Sequence, residues 1–253
     1  HAMLTAVVAL AVLGQTGFEW TPLFNGKNLD GWTPKITGYD YGVNFGNTFR
    51  VANGAIQVNY DQYNGEFKGR FGHLFYKSPY QSYVLRLEYR FTGTQIKDGP
   101  GWANRNSGVM FHCQDPKTMT KDQDFPVSLE LQFLGGLGSG KRSTGNICTP
   151  GTNIIYQNKL WTQHCTDSTS QTYDGDQWVK CELEVWPGGQ IIHRINGEKV
   201  LQYSGAQLDP NDADAKPVIA AAGGELKLRR GWISLQSESS PVEFRKIEIR
   251  PLK

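Results

Sequence analysis

The chain has 253 residues, enough for one large domain or two small ones with a buried core. Its 26 basic and 24 acidic residues nearly balance, so it lacks the basic excess that nucleic acids and anionic membranes attract. Hydrophobic residues make up 38% of the chain and aromatic residues 12%, and the 29 glycines favour a turn-rich β protein over a helical bundle.

An apolar run near the start predicts export. Residues 4–13 (LTAVVALAVL) carry no charge and have the length of the hydrophobic region of a signal peptide, and Gly14 offers a small residue for cleavage before Gln15. The run is much shorter than the ~20 residues that span a bilayer, so we expect no membrane span. We therefore interpret residues 1–14 as a signal-peptide-like segment, with a buried N-terminal strand or helix as the alternative.

The elements that follow are strands separated by turns. Residues 48–51 and 55–58 flank Asn53-Gly54, and residues 190–195 and 198–202 flank Asn196-Gly197, so two hairpins with type I′ turns are predicted. Because apolar and polar residues alternate along most runs, we predict antiparallel sheets, and because no linker interrupts them, one domain over residues 15–253. Further strands are predicted at residues 72–76, 83–91, 108–113, 127–134, 178–186, 231–236 and 242–249, and a short helix or loop at 209–222.

The strand at residues 127–133 places a carboxylate on its polar face. Its odd-numbered residues are apolar and should face the core, which leaves Ser128, Glu130 and Gln132 together on the opposite face. A carboxylate beside an amide in mid-strand suits a base or a group that binds hydroxyls, so Glu130 is a candidate catalytic residue. An ordinary solvent-exposed strand face is the alternative.

The strand at residues 106–113 follows the same alternation. The odd-numbered residues from 109 to Cys113 are predicted to face the core. The even-numbered residues from Asn106 to His112 are predicted to face the polar side. Gly108 within the strand indicates close approach of a ligand or another backbone. His112 is a candidate acid or base because the unperturbed pKa of histidine is near ~6.5, and a histidine packed on a wet face is the alternative. We expect Asn106 and His112 to emerge beside Glu130 in one shared hollow.

Two long loops, residues 92–106 and 135–172, are predicted to frame this face, since long structureless loops in compact domains are often functional. Aromatic rings stack on the C–H faces of sugars while polar neighbours bind the hydroxyls. Core packing is the alternative for each aromatic residue. The candidate substrate-binding residues on this argument are Trp102, Tyr41, Tyr60 and His73.

Four cysteines are consistent with an oxidising compartment. Cys148 and Cys165 bracket a loop-like stretch that a disulfide would staple. Cys113 and Cys181 fall inside predicted strands, where they form either a second bridge or two buried thiols. No metal-binding motif is present.

Several phrases, in their order along the chain, resemble the bacterial 3-keto-disaccharide hydrolase family over about residues 18–253. The resemblance implies a two-sheet antiparallel jelly-roll sandwich of the concanavalin A-like lectin and glucanase type, with the site on its concave sheet. It also implies a secreted or periplasmic enzyme acting on glycosides oxidised at C3. The phrases are LFNGKNLDGW (23–32), NSGVMFH (106–112), ELQ (130–132), DGDQWVKCELEV (174–185), INGEKV (195–200) and GWISLQSESSPVEFRKIEIRPL (231–252).

The same resemblance carries over individual residues. Glu130 and Gln132 fall on the E-x-Q strand of the family and Asn106 on its NSG strand, while Gln236 and Glu238 fall on its closing phrase. Two positions depart from the pattern. His112 stands where many members carry an arginine, and Ser239 where many carry a histidine.

The reaction that the resemblance implies is an elimination. A ketone at C3 acidifies the C2 proton, so a base, either Glu130 or His112, would remove it and the C1 substituent would leave, with or without addition of water. No motif requires a cofactor, although a divalent metal ion is an alternative stabiliser of the enolate. We expect a 3-keto-glycoside as the partner, no nucleic acid and no membrane span, and the oligomeric state stays open. The residues expected to orient hydroxyls or stabilise the enolate are Asn106, Arg105, Gln132 and His73.

Two rival functions fit the same fold. A non-catalytic carbohydrate-binding module or lectin needs aromatic and hydroxyl-binding residues but no base. A retaining glycosidase needs two carboxyl groups ~5–5.5 Å apart, and the E-L-Q strand lacks the second one, so this alternative ranks last.

Overall fold

The computed structural model describes residues 19–253. The signal-peptide-like segment predicted at residues 1–14 lies outside the described residues. The strands are β1 (Thr21–Pro22), β2 (Trp32–Ile36), β3 (Phe49–Ala52), β4 (Ala55–Val58), β5 (Gly72–Tyr76), β6 (Tyr83–Phe91), β7 (Asn106–Cys113), β8 (Leu129–Leu134), β9 (Asn146–Cys148), β10 (Thr152–Tyr156), β11 (Lys159–Trp161), β12 (Cys165–Thr166), β13 (Val179–Val185), β14 (Ile191–Ile195), β15 (Glu198–Leu208), β16 (Trp232–Ser237) and β17 (Val242–Pro251), and the helix is α1 (Ala215–Ala221).

Two antiparallel sheets pack face to face. One has seven strands in the order β12-β9-β8-β7-β16-β5-β2, and the other has ten, in the order β11-β10-β15-β14-β13-β6-β17-β4-β3 with β1 also paired to β17. This confirms the predicted jelly-roll sandwich. Both Asn-Gly hairpins are confirmed too: Asn53 and Asn196 have φ of 53° and 48°, and the glycine after each also has a positive φ, as a type I′ turn requires.

The core lies between the sheets and is filled by alternate residues of each. Val109, Leu129 and Leu131 of the seven-stranded sheet are at most 1% exposed, and the rings of Tyr89 and Phe133 stack across the interface with centroids 3.9 Å apart. Full burial of one such side chain contributes ~1.5–3 kcal/mol. This burial fixes which way each strand faces, so its intervening residues point to the outer face of the seven-stranded sheet, which we call the site face.

A β-bulge at His112 reverses the alternation in β7. Met110 pairs with Ser234 and Cys113 with Trp232, so three steps along β7 match two along β16. His112 has a φ of 51° and supplies the extra residue. As a result Cys113 joins Met110 on the site face, and the His112 ring lies on the other side of the sheet. The predictions that His112 shares the hollow with Glu130 and that Cys113 faces the core are therefore wrong.

The cysteines settle into one bridge and two thiols. Cys148 and Cys165 are directly paired on β9 and β12 and form a disulfide, as predicted, while Cys113 and Cys181 are buried free thiols. The predicted structureless loop at residues 135–172 instead contains the short strands from β9 to β12. Strands of two to five residues are too short to show an alternation in the sequence. No helix within residues 19–253 is both long and apolar enough to cross a membrane.

Candidate active site

Neighbouring strands bring polar side chains into one row on the site face. The register pairs Glu130 on β8 with Met110 on β7 and Cys148 on β9, and pairs Gln132 with Gly108 and Asn146. On the other side of β7, Gln236 on β16 pairs with His73 on β5. Because directly paired residues point to the same face, the strand register alone assembles this row.

Glu130 lies at the centre of the row and is 5% exposed. Gln236 donates a hydrogen bond from Nε2 to its Oε2, at 3.3 Å. Glycine at position 108 makes room for the carboxylate, since a Cβ there would lie 2.9 Å from Glu130 Cγ and 2.8 Å from the Leu131 carbonyl oxygen. The glycine predicted to mark a close approach therefore accommodates the candidate base itself.

Glu238 supplies a second buried carboxyl group, immediately beyond the end of β16. It is 3% exposed, and its Oε2 has no hydrogen-bond partner among residues 19–253. The chain is held here by Tyr60, whose hydroxyl accepts a hydrogen bond from the Ser239 amide at 2.8 Å, and by a positive φ of 99° at Ser239. Only the family phrase indicates Glu238 in the sequence, because this residue lies outside the regular strand.

Burial pushes both carboxyl groups toward the protonated form. Desolvation raises the pKa of Glu130 and that of Glu238, and the negative charge of Glu130 raises the pKa of Glu238 further. Two carboxyl groups that interact in this way titrate as a pair. With one proton on the pair, one carboxyl group is protonated and the other is an ionised carboxylate that can act as a base.

An amide and a neutral imidazole support the pair from the β5 side. Gln236 Nε2 also contacts His73 Nε2 at 3.2 Å, so the amide bridges the imidazole and the Glu130 carboxylate. Burial lowers the pKa of His73 to about 3, which keeps the ring uncharged at neutral pH. His73 is fully buried behind the amide, so it orients Gln236 rather than meeting a sugar directly.

A chain of amides continues the row toward β9. Asn146 Nδ2 donates to Gln132 Oε1 at 2.9 Å, and Gln132 Nε2 donates to Asn106 Oδ1 at 3.4 Å. Asn106 in turn donates to the Trp102 carbonyl oxygen at 3.0 Å, which ties the row to the preceding loop. These fixed amides are suited to hydrogen-bonding hydroxyl groups.

A cavity of about 280 Å³ opens over these side chains, and we call it the carboxylate cavity. This volume lies just below the ~300–1,000 Å³ of typical ligand pockets and suits one sugar ring. Trp102 is 56% exposed and stacks on Phe71 with centroids 5.9 Å apart, which makes it an aromatic platform at the rim. The lining consists of Trp102, Asn106, Phe125, Glu130, Gln132, Cys148, Pro150, His164, Cys165 and Glu238.

Besides His73 and Gln236, four candidates do not line this cavity. Arg105 turns outward into an ion pair with Asp176 at 2.6 Å, and Tyr60 is 5% exposed in the core, where its hydroxyl anchors the Ser239 segment. Tyr41 packs against the apolar cluster of Met110 and Cys113, and His112 lies beyond the bulge. Arg105, Tyr60 and Tyr41 are therefore not where their predicted substrate contacts require, and His112 cannot serve as the base of this cavity.

Sequence reasoning missed one wall of the cavity. The Cys148–Cys165 disulfide, Pro150 and His164 close it on the β9 and β12 side, opposite His73 in the strand order. Phe125 also lines the cavity, and its ring lies 5.9 Å from that of His73, toward the β5 side. Partial desolvation lowers the pKa of His164, which is otherwise exposed, against the raising effect of the Asp212 carboxylate. The position of His164 directly before a disulfide cysteine was the available signal, since a bridged loop holds its side chains in place.

No group of three or more His, Cys, Asp or Glu side chains in the described part of the chain is arranged to hold a metal ion.

Comparison with known proteins agrees with this fold. A "putative glycosyl hydrolase" from Parabacteroides distasonis superposes with a TM-score of 0.52 at 20% identity, covering 92% of this chain and 100% of the other. A Bacillus subtilis protein of unknown function with a galectin-like fold superposes with a TM-score of 0.54 at 12% identity, covering 92% and 94%. These likenesses define the class as a galectin-like β-sandwich.

The family is defined by the sequence itself. Residues 19–250 match the family described as the 3-keto-alpha-glucoside-1,2-lyase-like domain, so the chain belongs to that family. No curated protein matches the chain.

Proposed function

We propose that this protein cleaves glycosides whose sugar ring carries a ketone at C3, and that Glu130 removes the proton from C2. The observation that carries the proposal is the buried pair of carboxyl groups, Glu130 and Glu238, beneath a cavity whose lining contains amides but no lysine or arginine. A family of 3-keto-glucoside lyase-like domains supports the same reaction class.

The reaction balances without an external oxidant or reductant. The C3 ketone acidifies the C2 proton, which the ionised carboxylate takes, and the electrons of that C–H bond form a double bond between C1 and C2 as the C1–O bond breaks. The leaving oxygen takes a proton, so the products are an unsaturated 3-keto sugar and a free alcohol. Addition of water across the double bond completes hydrolysis, and release before that step makes the enzyme a lyase.

The two carboxyl groups take different roles in this scheme. Glu130, which accepts a hydrogen bond from Gln236, is the base in its ionised form, and because burial raises its pKa this form becomes populated as pH rises. Glu238 holds a proton because burial and the charge of Glu130 both raise its pKa, so it donates a hydrogen bond to the C3 oxygen as negative charge develops there. Asn106 and Gln132 bind the neighbouring hydroxyls.

His164 is the proposed acid for the leaving oxygen. It lines the carboxylate cavity from the disulfide wall, while Glu130 lies on the sheet floor. Its imidazole can donate a proton to the leaving oxygen as the C1–O bond breaks. A divalent cation is an alternative stabiliser of the enolate, and activity after treatment with a chelator tests for it.

The deciding experiment compares an aryl 3-keto-glucoside with its parent glucoside. We expect release of the phenol from the 3-keto-glucoside only. Loss of the C2 proton to solvent, measured by NMR in D₂O, should accompany this release. Release from neither substrate, with binding of the parent sugar, would instead support a lectin.

A retaining glycosidase is the second candidate, because Glu238 provides the second carboxyl group that the E-L-Q strand lacks. Release of the phenol from both substrates at similar rates would support this function and exclude the elimination.

We also propose that the protein works outside the cytoplasm. The disulfide between Cys148 and Cys165 and the apolar run at residues 4–13 support this. Expression of the chain in a bacterium behind a natural start codon and basic leader should yield protein in the periplasm or medium, and recovery in the cytoplasm alone would contradict export.

A further inference from the structure

A second cavity, of about 430 Å³, lies on the other side of the seven-stranded sheet and shares no lining residue with the carboxylate cavity. It is bounded by the turn between β13 and β14, by residues 205–207 of β15, by residues 226–229, and by His112. We call it the His112 cavity.

His112 combines three unusual features at this cavity. It is 3% exposed, it has a positive φ of 51° inside a strand, and its Nδ1 has no hydrogen-bond partner in the described chain. A side chain other than glycine in this conformation is strained, and buried polar atoms without partners are rare in folded proteins. β-Bulges often redirect a side chain toward a ligand site. An occupant of the cavity would give the imidazole its missing partner.

The rim of the His112 cavity carries positive charge. Lys227 and Arg229 line it, both are exposed, and neither belongs to an ion pair within residues 19–253. No carboxylate lines the cavity, and the nearby Glu225 accepts a hydrogen bond from the Lys227 backbone amide instead. Charge complementarity therefore favours an anionic ligand.

The remaining walls favour a ring with an apolar face and several hydroxyls. Trp186 is 40% exposed and lines the cavity together with Gly188 and Gly189, which have no side chains. Gln207 and Ser82 add hydrogen-bonding groups. An aromatic platform, fixed polar groups and a cationic rim together match a sugar that carries a carboxylate.

We propose that the His112 cavity is a second ligand site that binds a sugar acid, a hexuronate unit either free or at the end of a glycan. The carboxylate lies between Lys227 and Arg229, the ring stacks on Trp186, and a hydroxyl reaches His112. Because this site is separate from Glu130, it would bind its ligand whether or not the proposed elimination occurs.

Calorimetric titration with D-glucuronate tests the proposal, with D-glucose and acetate as comparison ligands. Binding should weaken by roughly tenfold or more in Lys227→Ala/Arg229→Ala and in Trp186→Ala, each removing one part of the recognition. Arg230→Ala is the matched control, because Arg230 is an exposed neighbouring arginine that does not line the cavity, and it should bind as the unchanged protein does.

Two further variants separate the possible outcomes. Glu130→Gln should bind glucuronate normally, since it changes only the carboxylate cavity. His112→Asn, which tolerates a positive φ, should keep the fold by circular dichroism and bind glucuronate more weakly. Absence of glucuronate binding, an equal loss in Arg230→Ala, or acetate binding as tight as that of glucuronate would overturn the proposal.

Discussion

His112 lies on β7 two residues beyond the strand partner of Glu130, yet the two side chains face opposite sides of the sheet. Met110, the direct partner of Glu130, keeps the alternation, and the bulge two residues later reverses it. Both side chains are buried, and in both cases desolvation shifts the pKa toward the uncharged form, upward for Glu130 and downward to about 4 for His112.

The difference between them lies in their neighbours. Glu130 has a bridging amide from Gln236 and a second carboxyl group, Glu238, whose pKa its own charge raises. Burial alone lowers the pKa of His112, and its Nδ1 has no partner among the described residues. A buried titratable group therefore indicates proton transfer only when a second group is placed to share the proton. His112 without such a partner indicates binding.

The largest expected effect comes from Glu130→Gln. Removing the base should lower kcat for a 3-keto-glucoside by about 10³-fold, while the amide preserves the size of the side chain and the contact with Gln236. Steady-state kinetics with unchanged circular dichroism measures this loss.

A strand glutamate of the other sheet provides the control for that variant. Glu182→Gln, on β13, should leave kcat unchanged. Equal activity of Glu130→Gln and Glu182→Gln would remove Glu130 from the mechanism. His112→Gln should lower kcat only slightly, because His112 faces the other cavity.

His164→Gln should have a large effect that depends on the leaving group. If His164 protonates the leaving oxygen, a methyl 3-keto-glucoside should lose about 10²-fold in kcat, whereas a 4-nitrophenyl 3-keto-glucoside should react almost normally, since nitrophenolate leaves without a proton.

The same kinetic data would distinguish this role from a purely structural role of His164 in the cavity wall. A loss of equal size for both substrates would show that His164 only shapes the wall. Gln163→Ala is the neighbouring control, because Gln163 is exposed and does not line the carboxylate cavity.

Removing the disulfide should have a moderate effect on stability and a specific effect on binding. Cys148 and Cys165 close a loop with a sequence separation of 17, which predicts a loss of about 3 kcal/mol in the Cys148→Ala/Cys165→Ala variant. Because the bridge forms one wall of the carboxylate cavity, KM should rise as well.

Denaturant titration and steady-state kinetics test both parts of this prediction. Cys181→Ala is the control for a buried thiol in the other sheet, and it should destabilise the protein without changing KM. An unchanged KM in the double variant at a temperature where it is folded would contradict the assignment of the disulfide to the cavity wall.

The sequence predicts well what depends on local pattern. The Asn-Gly turns, the antiparallel strands and the facing of Glu130 and Gln132 follow from short-range alternation and turn chemistry, whereas the jelly-roll sandwich was implied by the family resemblance. The bulge at His112 cannot be predicted in this way, because an extra residue in a strand changes no feature of the local pattern. Arg105 was misplaced because its partner Asp176 lies 71 residues away. Glu238 depends on the contact between Tyr60 and Ser239, which are 179 residues apart.

The last expected effect is on the pH dependence of stability. Burial raises the pKa of Glu130 from its ordinary value of 4.5 to about 8, so between these pH values the folded protein binds more protons than the unfolded chain. The free energy of unfolding must then fall as pH rises through this window, since the stabilisation present below the unfolded pKa is lost as the carboxyl group ionises in the folded state. Glu130→Gln has no proton to lose at this position, so its melting temperature should fall less from pH 5 to pH 9 than that of the unchanged protein. Thermal unfolding at several pH values measures the difference, and parallel curves for the two proteins would mean that Glu130 is not held in its protonated form by burial.

Glu238→Gln should flatten the curve in the same direction, because the pKa of Glu238 is also raised by burial, and the two substitutions should not be additive if the carboxyl groups share a proton.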